Sequence, residues 1–188
     1  MDNKEYLKWI MPSIKNSSKN GNGNFNFRVE KAKEQYQKGL EMGIPSNKKE
    51  HKEKIVNYVN EFLSSIMGME TIDNPYYEPR KTKARRIDYA KINPGDKENI
   101  VWIKFTEDGF ISVIGTGCDI YFTDQTKDRT TSGHINKELN LNWDETVVLI
   151  FPLKNIPDGL TRSDIESGIG NYLISKEIPI LDFYSHNY

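Results

Sequence analysis

The densest cluster of charge in this sequence is a basic run at residues 80–86, where five of seven side chains are cations: Arg80, Lys81, Lys83, Arg85 and Arg86. Tyr77 precedes the run and Tyr89 follows it. Clustered Arg and Lys bind phosphate backbones through counterion release, and tyrosine rings can stack on unpaired bases. The run therefore predicts contact with nucleic acid or with the acidic face of a partner protein. The alternative is a solvated basic loop that pairs with acidic residues of the same chain.

A long polar stretch from Thr123 to His134 is the second candidate site. Long loops in compact domains often bind ligands or close over them. With one acid upstream, the stretch offers groups for an enzyme that acts on a phosphodiester or a nucleotide: Asp119, Asp124, Lys127, Arg129 and His134. Four residues separate Arg129 from His134, a spacing that some helical ribonucleases use. Gly133 and the Thr-Thr-Ser run before it disfavour a helix, so we expect irregular structure here.

The residues that a disulfide, a zinc site or a dinucleotide-binding site would need are missing from this sequence. Cys118 is the single cysteine, which excludes a disulfide within the chain and a cysteine-rich zinc site, and we interpret it as a buried, inert thiol. The run Gly115-Thr116-Gly117 lacks the third glycine of a dinucleotide site and predicts a tight turn between strands. The three histidines are far apart in the sequence. We therefore expect no cofactor and no metal.

The charge is divided between the two halves of the chain. Over 188 residues, 26 Lys+Arg against 27 Asp+Glu give a formal net charge of -1. Residues 1–90 carry 17 basic and 12 acidic side chains, and residues 91–188 carry 9 and 15, so the halves have net charges of +5 and -6. Such asymmetry is typical of a surface for nucleic acid or a partner, and also of two halves that attract each other within one fold.

Hydropathy and composition bear on location and origin. No stretch approaches the ~18–20 consecutive apolar residues of a membrane span, and the first residues lack the apolar core of a secretory signal. These features predict a cytoplasmic protein without membrane contact. The sequence has 21 Ile, 20 Lys and 18 Asn against 3 Ala. Since A/T-rich codons encode the abundant types, we expect a phage or mobile element of an A/T-rich bacterium.

Helical periodicity dominates the first part of the chain. One polar helix is predicted over 27–42, before Gly43. A second, over 47–67, has Ser46 as its cap and an apolar face that contains Ile55, Val56, Val59, Phe62, Leu63, Ile66 and Met67. Residues 1–43 are predicted to be a helical extension with a flexible Asn/Gly-rich linker at 16–26, and residues 44–188 to be an α+β domain.

Strand patterns begin near residue 100. Two apolar runs at 100–105 and 110–114, joined by an Asp-Gly pair, predict a hairpin. Three further strands are predicted at 118–123, 146–151 and 178–183, the second of them central and the last at an edge. Trp102 and Trp143 are interpreted as aromatic residues of the core or its rim.

Two connections complete the predicted order of elements. Residues 70–98 contain three prolines without a clear period, which predicts an irregular segment. Ser163 and Glu166 match a capping box, which predicts a helix that ends near residue 175. This order resembles the core of restriction-type nucleases, whose chemistry needs an acid-x-Lys triplet on a strand. No such triplet occurs between residues 99 and 151.

The sequence thus predicts an α+β fold with a helical N-terminal region, a mostly antiparallel or mixed five-stranded sheet and one C-terminal packing helix. Its function is interpreted as that of a non-enzymatic intracellular binding protein with a basic surface for nucleic acid or a protein partner. One alternative is a nuclease-like enzyme that uses the polar loop at 119–134. Another is an inhibitor or immunity protein that presents an acidic face.

Overall fold

The computed structural model describes residues 4–10, 25–78, 99–117 and 130–183 of the chain. The described elements follow in this order: a 3-10 turn Lys4–Tyr6, helix α1 Phe25–Glu41, a 3-10 turn Ile44–Ser46, helix α2 Lys48–Glu61, a π-helical turn Phe62–Ile66, strand β1 Tyr76–Tyr77, strand β2 Ile100–Thr106, strand β3 Ile111–Gly117, helix α3 Thr131–Glu138, strand β4 Trp143–Pro152 and helix α4 Arg162–Ser175. They form an α+β fold, which confirms the predicted class.

The four strands form one antiparallel sheet in the order β1-β4-β2-β3. Strand β2 lies in the middle, where Ile103 is opposite Leu149 of β4 on one side and Ile114 of β3 on the other. The continuous apolar run at 146–151 predicted a central strand that is buried on both faces. Strand β4 confirms this, and it extends from Trp143 to Pro152.

The predicted hairpin is present as β2 and β3. Gly109 in its turn has a φ of 91°, which an Asp-Gly pair supplies without strain. The tight turn predicted at 115–117 is wrong, because β3 continues through these residues. Gly115 is needed there for space, since a Cβ atom at this position would overlap the indole ring of Trp102 on the neighbouring strand.

One face of the sheet, which we call the first face, packs against α2 and α4. Alternate residues of the strands supply it: Val101, Ile103, Phe105, Ile114, Leu149 and Phe151. The helices contribute the predicted apolar face of α2 and four residues of α4: Ile165, Ile169, Tyr172 and Leu173. All of these strand and α4 side chains are nearly or fully buried, so this layer is the main core.

The N-terminal helices differ from the prediction mainly at their starts. Asn47, not Ser46, is the N-cap of α2, and its side chain makes no capping hydrogen bond. The helix continues through the π-helical turn to Gly68, whose φ of 66° confirms it as the C′ residue. Helix α1 begins at Phe25, so the last two residues of the predicted linker at 16–26 are helical. Its other residues lie outside the described ranges.

Helix α3 overturns the expectation of irregular structure before His134. Thr130 is its N-cap, and the Thr130 hydroxyl accepts a hydrogen bond of 3.0 Å from the backbone N–H of Gly133. The hydroxyl residues that disfavour a helix interior are good caps, because they satisfy backbone donors that have no partner in the first turn. Helices α1 and α3 pack together in a second cluster of buried side chains: Val29, Ala32, Ile44, Phe110, Ile135 and Leu181. The proposed division at residue 43 stays a prediction.

The start of α4 is shifted from the predicted position. Its capping box is formed by Thr161 and Asp164, each of which bonds the backbone N–H of the other. The predicted box of Ser163 and Glu166 is therefore wrong, although helix α4 ends at Ser175 as expected. Glu166 lies in the second turn instead and is buried.

Two predicted edges of the sheet also change. Tyr76 and Tyr77 form strand β1 opposite Leu149 and Val148, so the segment 70–98 is not irregular throughout. The predicted strand at 178–183 is reduced to a parallel bridge between Ile180 and Ile111. The predicted strand at 118–123 lies outside the described residues. Within the described ranges the sheet therefore has four strands rather than five.

Candidate functional site

The sheet face opposite α2 and α4, which we call the second face, is built from alternate residues of β2 and β4: Ile100, Trp102, Lys104, Val148 and Ile150. Its three aliphatic side chains are fully buried, and the half-buried rings of Tyr77 and Trp102 pack against them. Tyr77 is one of the residues predicted to bind nucleic acid or a partner. The structure places it on this face at the edge strand β1.

Lys104 lies against two indole rings of the second face. Its Nζ atom is 4.6 Å from the ring centroid of Trp102 and 5.8 Å from that of Trp143. The residue is only 8% exposed. Because desolvation strengthens cation–π attraction, this ammonium group holds both rings in place. Trp102 and Trp143 are both half-buried, and each keeps part of its surface accessible.

The ring of Trp102 also lies against the backbone of β3. The six-membered part of its indole is next to Gly115, which leaves no room for a side chain there. The indole N–H is buried and has no hydrogen-bond partner among the described residues. The ring is therefore fixed on the sheet by Gly115 on one strand and by Lys104 on its own.

A polar groove of about 880 Å³ opens where the N-terminus of α2, helix α3 and the start of β4 meet. Its lining includes three basic and three acidic side chains: Lys48, His134, Lys137, Glu107, Asp144 and Glu145. Trp143 lines the groove as well and contacts Lys104 of the second face. This tryptophan therefore connects the groove with the second face.

One wall of the groove is a bulge in β4. Residues 144–147 stand opposite the single residue Phe105 of β2, which shifts the register of the two strands. Asp144 turns inward, where its carboxylate lies 3.4 Å from the Nζ atom of Lys52 and accepts a hydrogen bond of 2.8 Å from the backbone N–H of Thr146. Glu145 and Thr146 point to solvent.

Hydrogen bonds already occupy several polar groups of the groove. Lys48 Nζ donates to the backbone carbonyl of Glu107 at 2.8 Å, and Asn142 Nδ2 donates to the Glu107 carboxylate at 3.2 Å. Below them the buried amide of Asn136 accepts a hydrogen bond of 2.9 Å from Ser112 Oγ. The groove thus presents cations, carboxylates and amides beside an aromatic edge.

His134 is the only residue of the alternative enzymatic set within the described ranges. It is exposed in the groove, and its ring lies 6.3 Å from that of Phe25 in an edge-on arrangement. The other four members lie outside the described residues: Asp119, Asp124, Lys127 and Arg129. The convergence of these groups in one cleft therefore stays a prediction.

The basic run at 80–86 and Tyr89 lie outside the described residues, as does Cys118. Their role as a binding surface therefore also stays a prediction. What the structure adds is the position of Tyr77, three residues before Arg80, on the second face.

Among the described residues, two ion pairs join a cation of the basic half to an acid of the acidic half, and Lys176 pairs with Glu61 in the opposite sense. Arg28 binds both carboxylate oxygens of Asp182, with Nη2 distances of 2.7 and 2.8 Å, and Ser132 Oγ donates to the same group. Lys52 pairs with Asp144 at 3.4 Å. Asp182 is only 2% exposed, so this pair lies in the interior. Part of the charge asymmetry is therefore neutralised within the fold.

His51 is a buried titratable group in the first turns of α2. It is 7% exposed, and its Nε2 atom has no hydrogen-bond partner among the described residues. Burial, together with the smaller effect of the nearby charges of Lys54 and Lys52, lowers the pKa of this imidazole to about 4. His51 is therefore neutral at physiological pH and contributes packing rather than charge.

The sequence interpretation missed the grouping of Lys104 with the two indoles. The alternation of Trp102 and Lys104 along one strand is the signal that would have found it, because alternate residues of a strand share a face. The approach of Trp143 depends on the bulge at 144–147, which has no comparable signal in the sequence.

Within the described ranges, no group of three or more His, Cys, Asp or Glu side chains is placed to hold a metal ion. None of the helices described is both long enough and apolar enough to cross a membrane. No model of a protein family, no curated protein and no solved structure matches this chain.

Proposed function

We propose that this chain is a non-enzymatic binding protein for nucleic acid, which it holds through the basic run 80–86 and the nearby ring of Tyr77. The observation that supports this is the position of Tyr77, which packs on the second face together with Trp102. In this proposal the basic run, which begins three residues after Tyr77 in the sequence, binds phosphates while the tyrosine ring binds a base.

Two acids of the acidic half already have partners within the fold. Among the described residues, Arg28 pairs with Asp182 and Lys52 pairs with Asp144. Both acids are buried. Clustered cations gain affinity for a polyanion because bound phosphates release their counterions into solution.

The test measures binding of a fluorescein-labelled single-stranded DNA of 20 nucleotides by anisotropy at increasing NaCl concentration. We expect the logarithm of the association constant to fall linearly with the logarithm of salt concentration. The variant Arg85→Glu/Arg86→Glu removes two phosphate contacts, so its slope becomes shallower by roughly 1.4 units. Binding that is absent, or that does not depend on salt, contradicts the proposal.

A matched control separates the basic run from net charge. Lys31 and Lys33 lie on α1, where they pair with Glu34 and Glu30 of the same helix. The variant Lys31→Glu/Lys33→Glu changes the net charge by the same amount, and we expect it to retain the slope of the wild type. Equal losses in both variants would mean that overall charge, rather than the basic run, controls binding.

The same oligonucleotide distinguishes the two alternative functions. A nuclease-like enzyme would shorten it, and the variant His134→Ala would abolish that cleavage, since His134 is exposed in the groove. An inhibitor or immunity protein would bind a basic protein through the acidic half of the chain and would not retain the oligonucleotide. Binding without cleavage supports the proposed function.

A further inference from the structure

We infer that the polar groove beside helix α3 is a binding site for a neutral oligosaccharide. It uses residues outside the basic run 80–86, so this inference goes beyond the proposed function and does not depend on it. Three features of the groove support it: the balance of its charges, its amide side chains and the bonded backbone of the strand that forms one wall.

The charge of the groove disfavours a strongly charged ligand. Three basic or titratable side chains and three carboxylates line it: Lys48, His134, Lys137, Glu107, Asp144 and Glu145. A lining that holds both signs in equal number attracts neither a polyanion nor a polycation, because the fields of opposite charges largely cancel at a distance. Such a lining suits a neutral molecule that both donates and accepts hydrogen bonds.

The amides of the groove add groups that donate and accept at once. Asn136, Asn140 and Asn142 all line it, and each amide has two N–H donors and an acceptor oxygen. Asn136 is only 2% exposed, and its Nδ2 donor has no hydrogen-bond partner among the described residues. A buried donor without an acceptor is unfavourable, so a ligand oxygen beside this amide would be stabilised. Sugar hydroxyls fit this lining, because each of them is both a donor and an acceptor.

The backbone at the groove favours an oligosaccharide over a peptide, the other neutral chain that alternates donors and acceptors. An extended peptide often binds as an added strand, through free backbone groups of a sheet edge. Here the backbone N–H of Thr146 donates to Asp144 at 2.8 Å, and the carbonyl of Asn142 accepts from the N–H of Glu107 at 2.9 Å. A ligand therefore meets mainly side chains. The volume of about 880 Å³ is near the upper end of the ~300–1,000 Å³ range of ligand sites, which leaves room for several linked sugar rings.

The test is saturation-transfer difference NMR with the full chain and four neutral trisaccharides: maltotriose, cellotriose, mannotriose and triacetylchitotriose. We expect at least one of them to bind with a Kd of about 1 mM or below, since the hydrogen bonds of an open groove give modest affinity. Its affinity should not change with NaCl concentration, because the ligand carries no charge. If none of the four binds at about 10 mM, the inference is overturned.

Two matched variants locate the binding. Lys137→Ala/Asn140→Gly removes two exposed side chains of the groove, and we expect it to bind the trisaccharide about 10-fold more weakly because two hydrogen bonds are lost. Glycine at position 140 tolerates the φ of 57° that Asn140 has. The control Lys154→Ala/Asn155→Gly makes the same exchanges outside the groove, where Asn155 also has a φ of 57°, and should bind like the wild type. Equal affinities of the two variants overturn the inference.

A measurement on the wild type does not depend on how well a variant folds. We expect the side-chain amide resonances of Asn136 to shift as the trisaccharide is added, with the Kd of the saturation-transfer experiment, and unchanged resonances overturn the inference. Displacement of the trisaccharide by acetyl-tetraalanine amide or by the single-stranded oligonucleotide also overturns it, because the groove would then take a peptide or nucleic acid. A chain that binds a trisaccharide but no oligonucleotide refutes only the proposed function, and the reverse result refutes only this inference.

Discussion

Acidification should destabilise this protein through His51. The imidazole has an ordinary pKa of 6.5 in the unfolded chain, but burial lowers its pKa to about 4 in the fold. Between these two values the unfolded state binds a proton that the folded state excludes. Stability is therefore fully present above about pH 6.5 and is lost as the pH falls toward 4.

The size of this effect follows from the two pKa values. With about 1.4 kcal/mol for each pKa unit, linkage predicts a loss of about 2 kcal/mol at pH 5 and about 3 kcal/mol at pH 4 relative to pH 8. The side chain is 7% exposed, so solvent screens little of this energy. Such a loss is a large fraction of the total stability of a typical domain.

The assay is urea unfolding, followed by circular dichroism between pH 8 and pH 4, for the wild type and for His51→Leu. Because carboxylates also titrate in this range, the informative quantity is the difference between the two proteins at each pH. At pH 8 we expect the variant to be within about 1 kcal/mol of the wild type, since Nε2 is buried without a hydrogen-bond partner. At pH 5 this difference shifts by about 2 kcal/mol in favour of the variant.

A matched control is Val59→Ala, which removes a fully buried side chain from the same helix. It lowers stability at every pH without adding or removing a titrating group, so its difference from the wild type stays constant. The reasoning is refuted if the difference between His51→Leu and the wild type is also the same at every pH. It is refuted as well if the imidazole proton resonance of His51 titrates with a midpoint near 6.5.

Two further substitutions test other contacts. Asp182→Asn removes the charge that Arg28 binds in the interior, so we expect urea unfolding to show a loss of about 3–5 kcal/mol, and a loss below about 1 kcal/mol would contradict a buried pair. Thr161→Ala removes the observed cap of α4 and should cost about 1 kcal/mol, whereas Ser163→Ala should change stability by less than about 0.5 kcal/mol. A larger loss of stability for Ser163→Ala than for Thr161→Ala would instead support the capping box of Ser163 and Glu166 that the sequence predicted.

Sequence patterns within a few residues were sufficient to predict several elements of the fold. The Asp-Gly pair of the hairpin, the apolar face of α2 and the apolar run of β4 each predicted the correct structure because their determinants lie within a few residues. The shifted start of α4 shows the limit of such signals. Thr161 with Asp164 and Ser163 with Glu166 have the same spacing of cap and acid, and tertiary burial of Glu166 decides between them.

The remaining differences have non-local causes. Gly115 looks like a turn residue, but it is in a strand because the ring of Trp102 comes across from the neighbouring strand. The hydroxyl run before Gly133 contains a helix cap rather than a loop, and the packing of Ile135 against α1 supports the short helix that follows. Lys104 looks like an ordinary solvent-facing residue of a strand, yet two tryptophans from different strands surround it.

The carboxylate of Asp144 has a consequence for how copies of this protein meet. On its outer side β4 has the two-residue strand β1 as its described partner, so the backbone near Thr146 is a place where a foreign strand could add to the sheet. Asp144 accepts the hydrogen bond of the Thr146 N–H itself, and the bulge turns Glu145 toward solvent. An incoming strand would find the N–H of Thr146 already bonded and would meet the negative charge of Glu145. This corner of the molecule is thereby protected against edge-to-edge aggregation.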